Sequence, residues 1–202
     1  MGSNKFGSLF FKLRDKLPLF LLPGILLSEK LKKGRLLCGL SLLAAGEALR
    51  LWAVSHIGPA SRTRNVCADV LIKTGPYALT RNPLYLANSV KVLGFAVISG
   101  NFIFALALIL FYGLEYSSVI PFEQEFLESR FKDDYAAYKN NVPVFLPSLK
   151  SFNNNPDLIS QPRFSLKEAF CSEKHTFAST LSLLLLFVSA PALANRFRRQ
   201  PK

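Results

Sequence analysis

Long apolar stretches separated by short polar segments dominate this sequence, and the pattern predicts a series of membrane helices. Residues 36–54, 102–121 and 176–194 are each long enough to cross a bilayer as a helix, and residues 84–99 form a shorter apolar stretch. The uncharged tripeptide Ser-Gly-Asn at 99–101 predicts a tight turn. We therefore expect 84–99 and 102–121 to form a helical hairpin whose two open ends lie on the same side of the membrane.

The beginning of the chain holds one more apolar run, residues 17–27, which follows several lysines and arginines. Pro18 and Pro23 interrupt this run and no Ala-x-Ala cleavage pattern follows it. We therefore interpret it as a retained interfacial or short spanning segment rather than a secretory signal. The expected fold is an all-α, polytopic membrane bundle with about four to five membrane segments. Its expected divisions are a main domain at 1–150, a polar connector at 151–174, and a C-terminal apolar segment with a basic tail at 175–202.

Composition supports a membrane location and limits the alternatives. Half of the 202 residues are apolar and the mean hydropathy is +0.25, which favours several bilayer spans over a soluble core. The net charge of +12 comes from cations concentrated between the apolar stretches, which suits an anionic membrane surface better than nucleic acid. The three cysteines lie far apart without a Cys-x-x-Cys pair, so neither a zinc site nor a disulfide framework is predicted.

The cations also predict an orientation. The loop at 55–83 and the charged region at 123–174 both adjoin the open end of the hairpin, and both are rich in lysine and arginine. Because cytoplasmic loops carry an excess of such residues, we expect this end on the cytoplasmic side. The same rule would place the cations of 30–35 and 196–199 outside, so the orientation of the terminal segments stays open.

Four ionisable side chains fall within the predicted spans, where such groups either pair with each other or serve a function. Glu47 and Arg50 are three residues apart on one helical face, so we expect them to neutralise each other. Lys91 and Glu115 lie in the two arms of the hairpin, and each either snorkels to the membrane surface or serves a function.

The loop before the hairpin carries the first candidate binding residues. Gly75-Pro76-Tyr77 predicts a turn whose backbone can approach a ligand closely. Pro83 begins the next helix and moves Asn82 out of helical geometry. The loop thus delivers Arg81 and free amide groups to a helix amino terminus, an arrangement that suits an anionic group such as the carboxylate of an amino-acid-like cosubstrate.

The segment after the hairpin carries the second set. In a helix over 122–140, an apolar stripe forms on one face, and Glu123 and Gln124 flank it on the side directed toward the protein. A carboxylate directed inward needs a partner, and an amino-bearing ligand would be one. Glu125 and the two aspartates at 133–134 are expected in solvent. The stripe consists of Leu127, Phe131, Tyr135 and Tyr138.

In order and spacing, these motifs resemble the isoprenylcysteine carboxyl methyltransferase and phospholipid methyltransferase family of integral membrane methyltransferases. The resemblance covers residues 75–147, within a motif region at 74–147 of the main domain, and includes Val142-Pro143 and Pro147. It implies a membrane enzyme that binds S-adenosylmethionine at the cytoplasmic side in a loop-and-helix site; it identifies no catalytic residue. The implied cofactor-binding residues are Gly75, Pro76, Tyr77, Arg81, Asn82, Pro83, Tyr85, Glu123 and Gln124.

Two positions depart from the family pattern. The histidine usual in the family is Asn82 here, and the second glutamate of its acidic pair is Gln124. Both amides can still hydrogen-bond to a cofactor, but neither can transfer a proton as the usual residues could.

The methyl acceptor is not readable from the sequence. The resemblance implies a lipidic or membrane-associated acceptor, either like an isoprenylcysteine carboxylate or like a phospholipid headgroup, with membrane lipids as partners and neither nucleic acid nor metal. Two alternatives stay open. One is a non-catalytic membrane protein that retains the fold. The other is an NADPH-dependent membrane sterol-type reductase, which has a similar Arg-x-Pro-x-Tyr tract but usually more spans before it.

Overall fold

The structure, a computed structural model, describes residues 21–28, 31–58, 69–148 and 164–198, and these ranges contain only helices, turns and loops. The all-α class expected from the sequence is therefore confirmed for the part of the chain that is described. A short 3₁₀ turn at Gly75–Ala78 lies between the second and third helices. The α-helices are α1 (Leu22–Leu27), α2 (Lys33–Ile57), α3 (Pro83–Ser99), α4 (Phe102–Asn141) and α5 (Leu166–Arg198).

Two of these helices, α2 and α4, are long and apolar enough to cross a membrane. Helix α3 is apolar but has only 17 residues. A total of four to five spans, and the cytoplasmic position of the open end, stay predictions. The predicted segment at 17–27 lies partly outside the described residues, and α1 covers its end.

The predicted hairpin between α3 and α4 is confirmed. Helix α3 ends at Gly100, whose backbone is left-handed with φ 67°, a conformation that residues with a side chain rarely adopt. Asn101 then begins α4, because its side chain accepts a hydrogen bond of 2.9 Å from the backbone N–H of Phe104. The guanidinium of Arg35, near the start of α2, lies against Gly100. The start of α2 therefore lies at the closed end of the hairpin, and its last turn lies at the open end.

Helices α2 and α3 form the most extensive helix contact, and glycines allow it. A Cβ at Gly39 would meet Ile98 and lie 2.8 Å from the carbonyl oxygen of Gly94. A Cβ at Gly46 would lie 2.9 Å from the carbonyl oxygen of Ala87. Small residues that let two backbones approach closely are typical of helix interfaces in membranes. The hydrophobic effect does not drive helix association in lipid, so close packing has to stabilise it.

Helix α4 continues well beyond the predicted span end at 121. Pro121 lies inside it, and the helical geometry breaks only at Lys132, where φ is 42° and ψ is −113°. A proline removes one hydrogen bond and can bend a helix without ending it. The span and the following helix, which the sequence analysis treated separately, therefore belong to one kinked element.

The second part of α4, residues 122–141 after Pro121, buries the predicted stripe. Tyr135 and Tyr138 are 1% and 6% exposed, and Leu127, Phe131 and Leu71 pack around them. The three acids expected in solvent, Glu125 and the aspartates at 133–134, are all exposed. The 3.6-residue period of the sequence therefore assigned this face correctly.

Helix α5 begins ten residues before the predicted span at 176. Ser165 and Glu168 form a capping box: the Ser165 backbone N–H and hydroxyl donate to the Glu168 carboxylate at 2.7 and 2.8 Å, and the Glu168 N–H donates to the Ser165 hydroxyl at 3.2 Å. These hydrogen bonds lower the pKa of Glu168. The connector predicted at 151–174 is thus helical from Leu166, and residues 149–163 lie outside the described part.

Helix α5 runs antiparallel to α2 and closes the bundle. The Phe164 N–H, just before α5, donates to the Ser55 carbonyl near the end of α2 at 2.9 Å. Farther along, the Phe187 ring packs between Phe95 and Phe104, with centroid distances of 5.3 and 6.4 Å. The first turns of α5 therefore lie at the open end of the hairpin.

Candidate functional site

The loop from 74 to 82 adopts the tight turn that Gly75 was expected to allow. Gly75 has φ 57°, and the ring of His56, from the last turn of α2, occupies the space where a Cβ would stand. The His56 Nδ1 lies 2.8 Å from the Thr74 hydroxyl. Gly75, Pro76 and Tyr77 are all buried in the resulting 3₁₀ turn. His56 was not among the predicted site residues, since no local pattern marks a residue that lies 19 positions from the glycine it covers.

The chain after α4 folds back over this loop. The Arg81 backbone N–H donates to the Pro143 carbonyl at 2.9 Å, and the Thr80 hydroxyl donates to the Phe145 carbonyl at 2.8 Å. These bonds join two segments more than 60 residues apart and leave the loop little freedom. The loop is therefore a preformed element of the fold.

The Asn82 side chain also joins the loop to the segment after α4. Its amide Nδ2 donates to the Val144 carbonyl at 2.7 Å, and its backbone precedes Pro83 at the start of α3. Asn82 was expected to contribute to cofactor binding, and that role stays a prediction. The structure gives its amide nitrogen a backbone partner, so this group acts first as a structural hydrogen-bond donor.

Two tyrosines of the buried stripe hold the loop from the other side. The Tyr138 hydroxyl donates to the Tyr77 carbonyl at 2.7 Å. The Arg81 Nη1 donates to the Tyr135 hydroxyl at 3.3 Å, while its Nε is buried and has no hydrogen-bond partner among the described residues. The Gly-Pro-Tyr turn, Arg81 and the second part of α4 thus meet at the open end of the hairpin.

Tyr77 lies buried in this loop, close enough to Glu123 of α4 to be affected by its charge. Its side chain is 7% exposed, and its hydroxyl has no hydrogen-bond partner in the described part of the chain. Burial raises the pKa of this phenol strongly, nearby Tyr138 and Glu123 raise it further, and the charge of Arg50 opposes them. Tyr77 is therefore a neutral phenol at physiological pH, and it lies within electrostatic reach of both Glu123 and Arg50.

The remaining predicted residues lie on the same two helices. Pro83 is buried at the first position of α3. Tyr85 lies half a turn farther, and its ring packs against Tyr116 of α4 with 4.9 Å between the centroids. Gln124 follows Glu123, and its Nε2 is buried with no hydrogen-bond partner among the residues described.

The expected pairing of Glu47 with Arg50 is wrong, because each residue pairs with other helices. The Arg50 Nε donates to the Glu173 carboxylate of α5 at 2.7 Å. The Lys91 Nζ of α3 donates to the Glu47 carboxylate at 3.1 Å, so Lys91 does not snorkel but forms an internal ion pair. The packing of the helices places an oppositely charged residue of another helix next to Glu47 and next to Arg50. A single sequence contains no signal that identifies Glu173 as the partner of Arg50.

Within residues 21–28, 31–58, 69–148 and 164–198, the structure contains no group of three or more histidine, cysteine or acidic residues that could hold a metal ion.

Comparison with known proteins gives one family. The model of the phospholipid methyltransferase family matches residues 35–134. The protein-S-isoprenylcysteine O-methyltransferase of Schizosaccharomyces pombe is 31% identical over 115 residues, which cover 54% of this chain and 48% of the relative. No solved structure matches the chain.

Two other curated relatives carry names of metal resistance. The cobalt-zinc-cadmium resistance protein of Cupriavidus metallidurans is 34% identical over 114 residues, covering 56% of this chain and 48% of the relative. The nickel-cobalt-cadmium resistance protein of Alcaligenes xylosoxydans xylosoxydans is 34% identical over 107 residues, covering 52% and 46%. The chain thus spans about half the length of the curated relatives it matches.

Proposed function

Since the chain belongs to the phospholipid methyltransferase family, we propose that it is a membrane methyltransferase that takes its methyl group from S-adenosylmethionine. The observation that carries this proposal is the meeting of the Gly75–Tyr77 turn, Arg81 and the second part of α4 at the open end of the hairpin. The reductase and the non-catalytic alternatives are not favoured, because the matching family and one of the relatives are methyltransferases by name.

The buried polar atoms at this end fit such a cofactor. The Tyr77 hydroxyl, the Arg81 Nε and the Gln124 Nε2 are buried without a hydrogen-bond partner among the described residues. Such groups are costly in a fold unless something satisfies them. A ligand with a carboxylate, an amine and hydroxyl groups could satisfy all three.

We assign the roles from these positions. Arg81 binds the carboxylate of the cofactor's amino-acid moiety, with loop amides at the start of α3 contributing. Glu123 binds the amine or a ribose hydroxyl, and Tyr77 supplies a neutral hydrogen-bonding hydroxyl beside it. Gln124 offers its amide to the same moiety, and Tyr85 lies near the adenosyl group. Gly75 and Pro76 shape the turn, Pro83 begins the helix, and Asn82 holds the loop in place.

The cofactor supplies a methyl group on a positively charged sulfur, which leaves as a neutral thioether when the acceptor bonds to the methyl carbon. An acceptor that is already a carboxylate or thiolate needs no proton transfer, whereas an amine must release a proton. The protein's contribution is therefore to align donor and acceptor away from water, which can supply on the order of 7–11 kcal/mol. The neutral hydroxyl of Tyr77 and the amide of Gln124 fit this role, because they can orient the cofactor without titrating.

We further propose that the acceptor is lipidic and reaches the site from the membrane, and that the site faces the cytoplasm. The positive-inside distribution of the loop at 55–83 supports this orientation. Both an isoprenylcysteine carboxylate and a phospholipid headgroup remain candidates.

The first test is S-adenosylmethionine binding by calorimetry in detergent, with NADPH as the competing ligand. The parent protein should bind S-adenosylmethionine and not NADPH. Arg81→Ala and Glu123→Ala should each weaken binding by about tenfold or more, since each removes a charge-assisted contact. Parental affinity in both variants, or binding of NADPH alone, would show the assignment to be wrong.

Matched controls separate binding from folding. Glu125→Ala removes an exposed carboxylate two residues from Glu123 and should leave affinity unchanged. Tyr135→Phe removes the hydrogen bond that Arg81 makes within the fold but keeps the Arg81 charge. If Tyr135→Phe weakens binding as much as Arg81→Ala does, Arg81 acts through the fold rather than on the cofactor.

A second assay addresses the acceptor. Labelled methyl incorporation should be measured in vesicles with ethanolamine headgroups and, separately, with a prenylated cysteine. Incorporation into either one identifies the acceptor chemistry, and incorporation into neither, by a protein that binds the cofactor, would exclude both proposed classes.

A further inference from the structure

Two clusters of polar residues each join the same three helices, α2, α3 and α5. In the first, the Arg50 guanidinium donates to the Glu173 carboxylate at 2.7 and 3.4 Å and to Asn88 Oδ1 at 3.1 Å. In the second, the Glu47 carboxylate accepts from Lys91 at 3.1 Å and from Thr180 at 2.6 Å. We call them the Arg50 cluster (Arg50, Asn88, Glu173) and the Glu47 cluster (Glu47, Lys91, Thr180).

The Arg50 cluster is the one nearer the candidate site. Arg50 precedes His56, which covers Gly75, by six residues or about 9 Å along α2. Asn88 follows Tyr85 by three residues, so the two share a face of α3. Among the charged groups that shift the pKa of Tyr77 are Arg50 and Glu123, whereas neither Glu47 nor Lys91 is among them. The two clusters therefore join the same helices, but the Arg50 cluster lies closer to the candidate site.

The Arg50 cluster is also well buried. The Glu173 side chain is 0% exposed and that of Arg50 is 13% exposed. Buried ion pairs contribute little net stability compared with packed apolar residues, because both charges must leave water. A buried ion pair is better explained where one of its charges lies near a binding site and has to be held and neutralised.

The charge of the cofactor makes this neutralisation necessary. S-adenosylmethionine carries a sulfonium in addition to its ammonium and carboxylate, so it is a net cation, whereas S-adenosylhomocysteine lacks the sulfonium charge. An uncompensated guanidinium near Tyr77 would repel the sulfonium. Glu173, which the family match at 35–134 does not reach, supplies the compensating charge.

We propose that Glu173 is a positioning residue of the cofactor site: it holds and neutralises Arg50, so that α5 completes a site able to accept a cationic methyl donor. This inference rests on the proposed function. It extends the site from the 74–147 motif to the last described helix.

The test compares affinities for S-adenosylmethionine and S-adenosylhomocysteine in the full-length protein by calorimetry, with a thermal midpoint for each variant. Glu173→Gln should weaken S-adenosylmethionine binding by about tenfold, because Arg50 then acts uncompensated, and S-adenosylhomocysteine binding by much less. The double variant Arg50→Gln with Glu173→Gln should restore S-adenosylmethionine affinity to near the parental value.

The Glu47 cluster supplies the matched control. Thr180→Val removes a hydrogen bond that joins α5 to α2 and should change the thermal midpoint without changing the ratio of the two affinities. If Glu173→Gln weakens both ligands equally, or if Thr180→Val changes the ratio in the same way, Glu173 only fastens α5 and the inference is overturned. If the parent binds neither ligand, the proposed function itself fails and the inference falls with it.

A swapped pair keeps the test valid should Glu173→Gln not fold. Arg50→Glu combined with Glu173→Arg retains an ion pair and moves the negative charge onto α2. It should favour S-adenosylmethionine over S-adenosylhomocysteine more strongly than the parent does. An unchanged or reduced preference would contradict the proposal.

Discussion

Substituting Gly75 by alanine tests whether the loop conformation controls cofactor binding. Gly75 has φ 57°, and a Cβ there would overlap the ring of His56. The left-handed conformation costs a residue with a side chain about 1–2 kcal/mol. Displacing His56 would also break its contact with the Thr74 hydroxyl, and a hydrogen bond contributes about 0.5–1.5 kcal/mol.

The two costs together amount to about 1.5–3.5 kcal/mol. If the binding-competent loop is the one seen in the structure, this cost reduces affinity for S-adenosylmethionine by roughly 10- to 300-fold, at 1.4 kcal/mol for each factor of ten. Calorimetric titration in detergent measures the affinity directly, and a thermal midpoint reports the stability of the whole fold.

Two variants sharpen this test. Gly34→Ala adds the same methyl group at an exposed helical position where nothing lies within 4 Å, and it should be neutral or stabilising. His56→Ala combined with Gly75→Ala removes the overlap but keeps the strained φ, so it should recover part of the affinity. Parental binding by Gly75→Ala, or equal losses in Gly75→Ala and Gly34→Ala, would refute the reasoning.

Three further substitutions test the fold around the site. Gly46→Ala places a Cβ against α3, so it should destabilise the protein by about 1–3 kcal/mol, whereas Gly113→Ala, with open space around it, should not, as thermal midpoints would show. Tyr138→Phe removes the 2.7 Å hydrogen bond to the Tyr77 carbonyl and should lower stability by about 0.5–1.5 kcal/mol in denaturant titration; unchanged stability would show that this bond contributes nothing. Glu115→Gln should leave the thermal midpoint equal or higher, because this carboxyl is 2% exposed and its Oε2 has no hydrogen-bond partner among the described residues. A clear fall would reveal a stabilising role for the carboxylate.

Much of the geometry around the candidate site could be predicted, because it depends on residues that are close together in the sequence. A glycine before a proline, a proline at a helix start and an apolar stripe with a 3.6-residue period each reflect the conformational limits of a few neighbouring residues. The turn at Gly75, the start of α3 at Pro83 and the buried faces of Tyr135 and Tyr138 followed from such limits.

The structure differs from the sequence predictions, or goes beyond them, in the choice of partners and in the limits of elements. Glu47 and Arg50 could have paired with each other, but Lys91 and Glu173 on neighbouring helices were better placed. The contact of the Asn82 amide with the Val144 carbonyl, at 2.7 Å, could not be predicted from the sequence, and the cofactor-binding role of Asn82 stays a prediction. The helix that contains the predicted span at 176–194 begins earlier, at Leu166, and the capping box at Ser165 could have been recognised from the sequence.

By itself, the sequence determined that the chain forms apolar helices, where the hairpin turns, and which tract carries the methyltransferase-like motif. Those properties depend on residues within one or two helical turns of each other. Only the tertiary structure decided that His56 lies on Gly75, that residues 143–145 close over the loop, and that Glu173 of the last helix neutralises Arg50. These contacts join residues 19 to more than 120 positions apart. Several partners of suitable chemistry were available to each group, and the packing of the helices selected one.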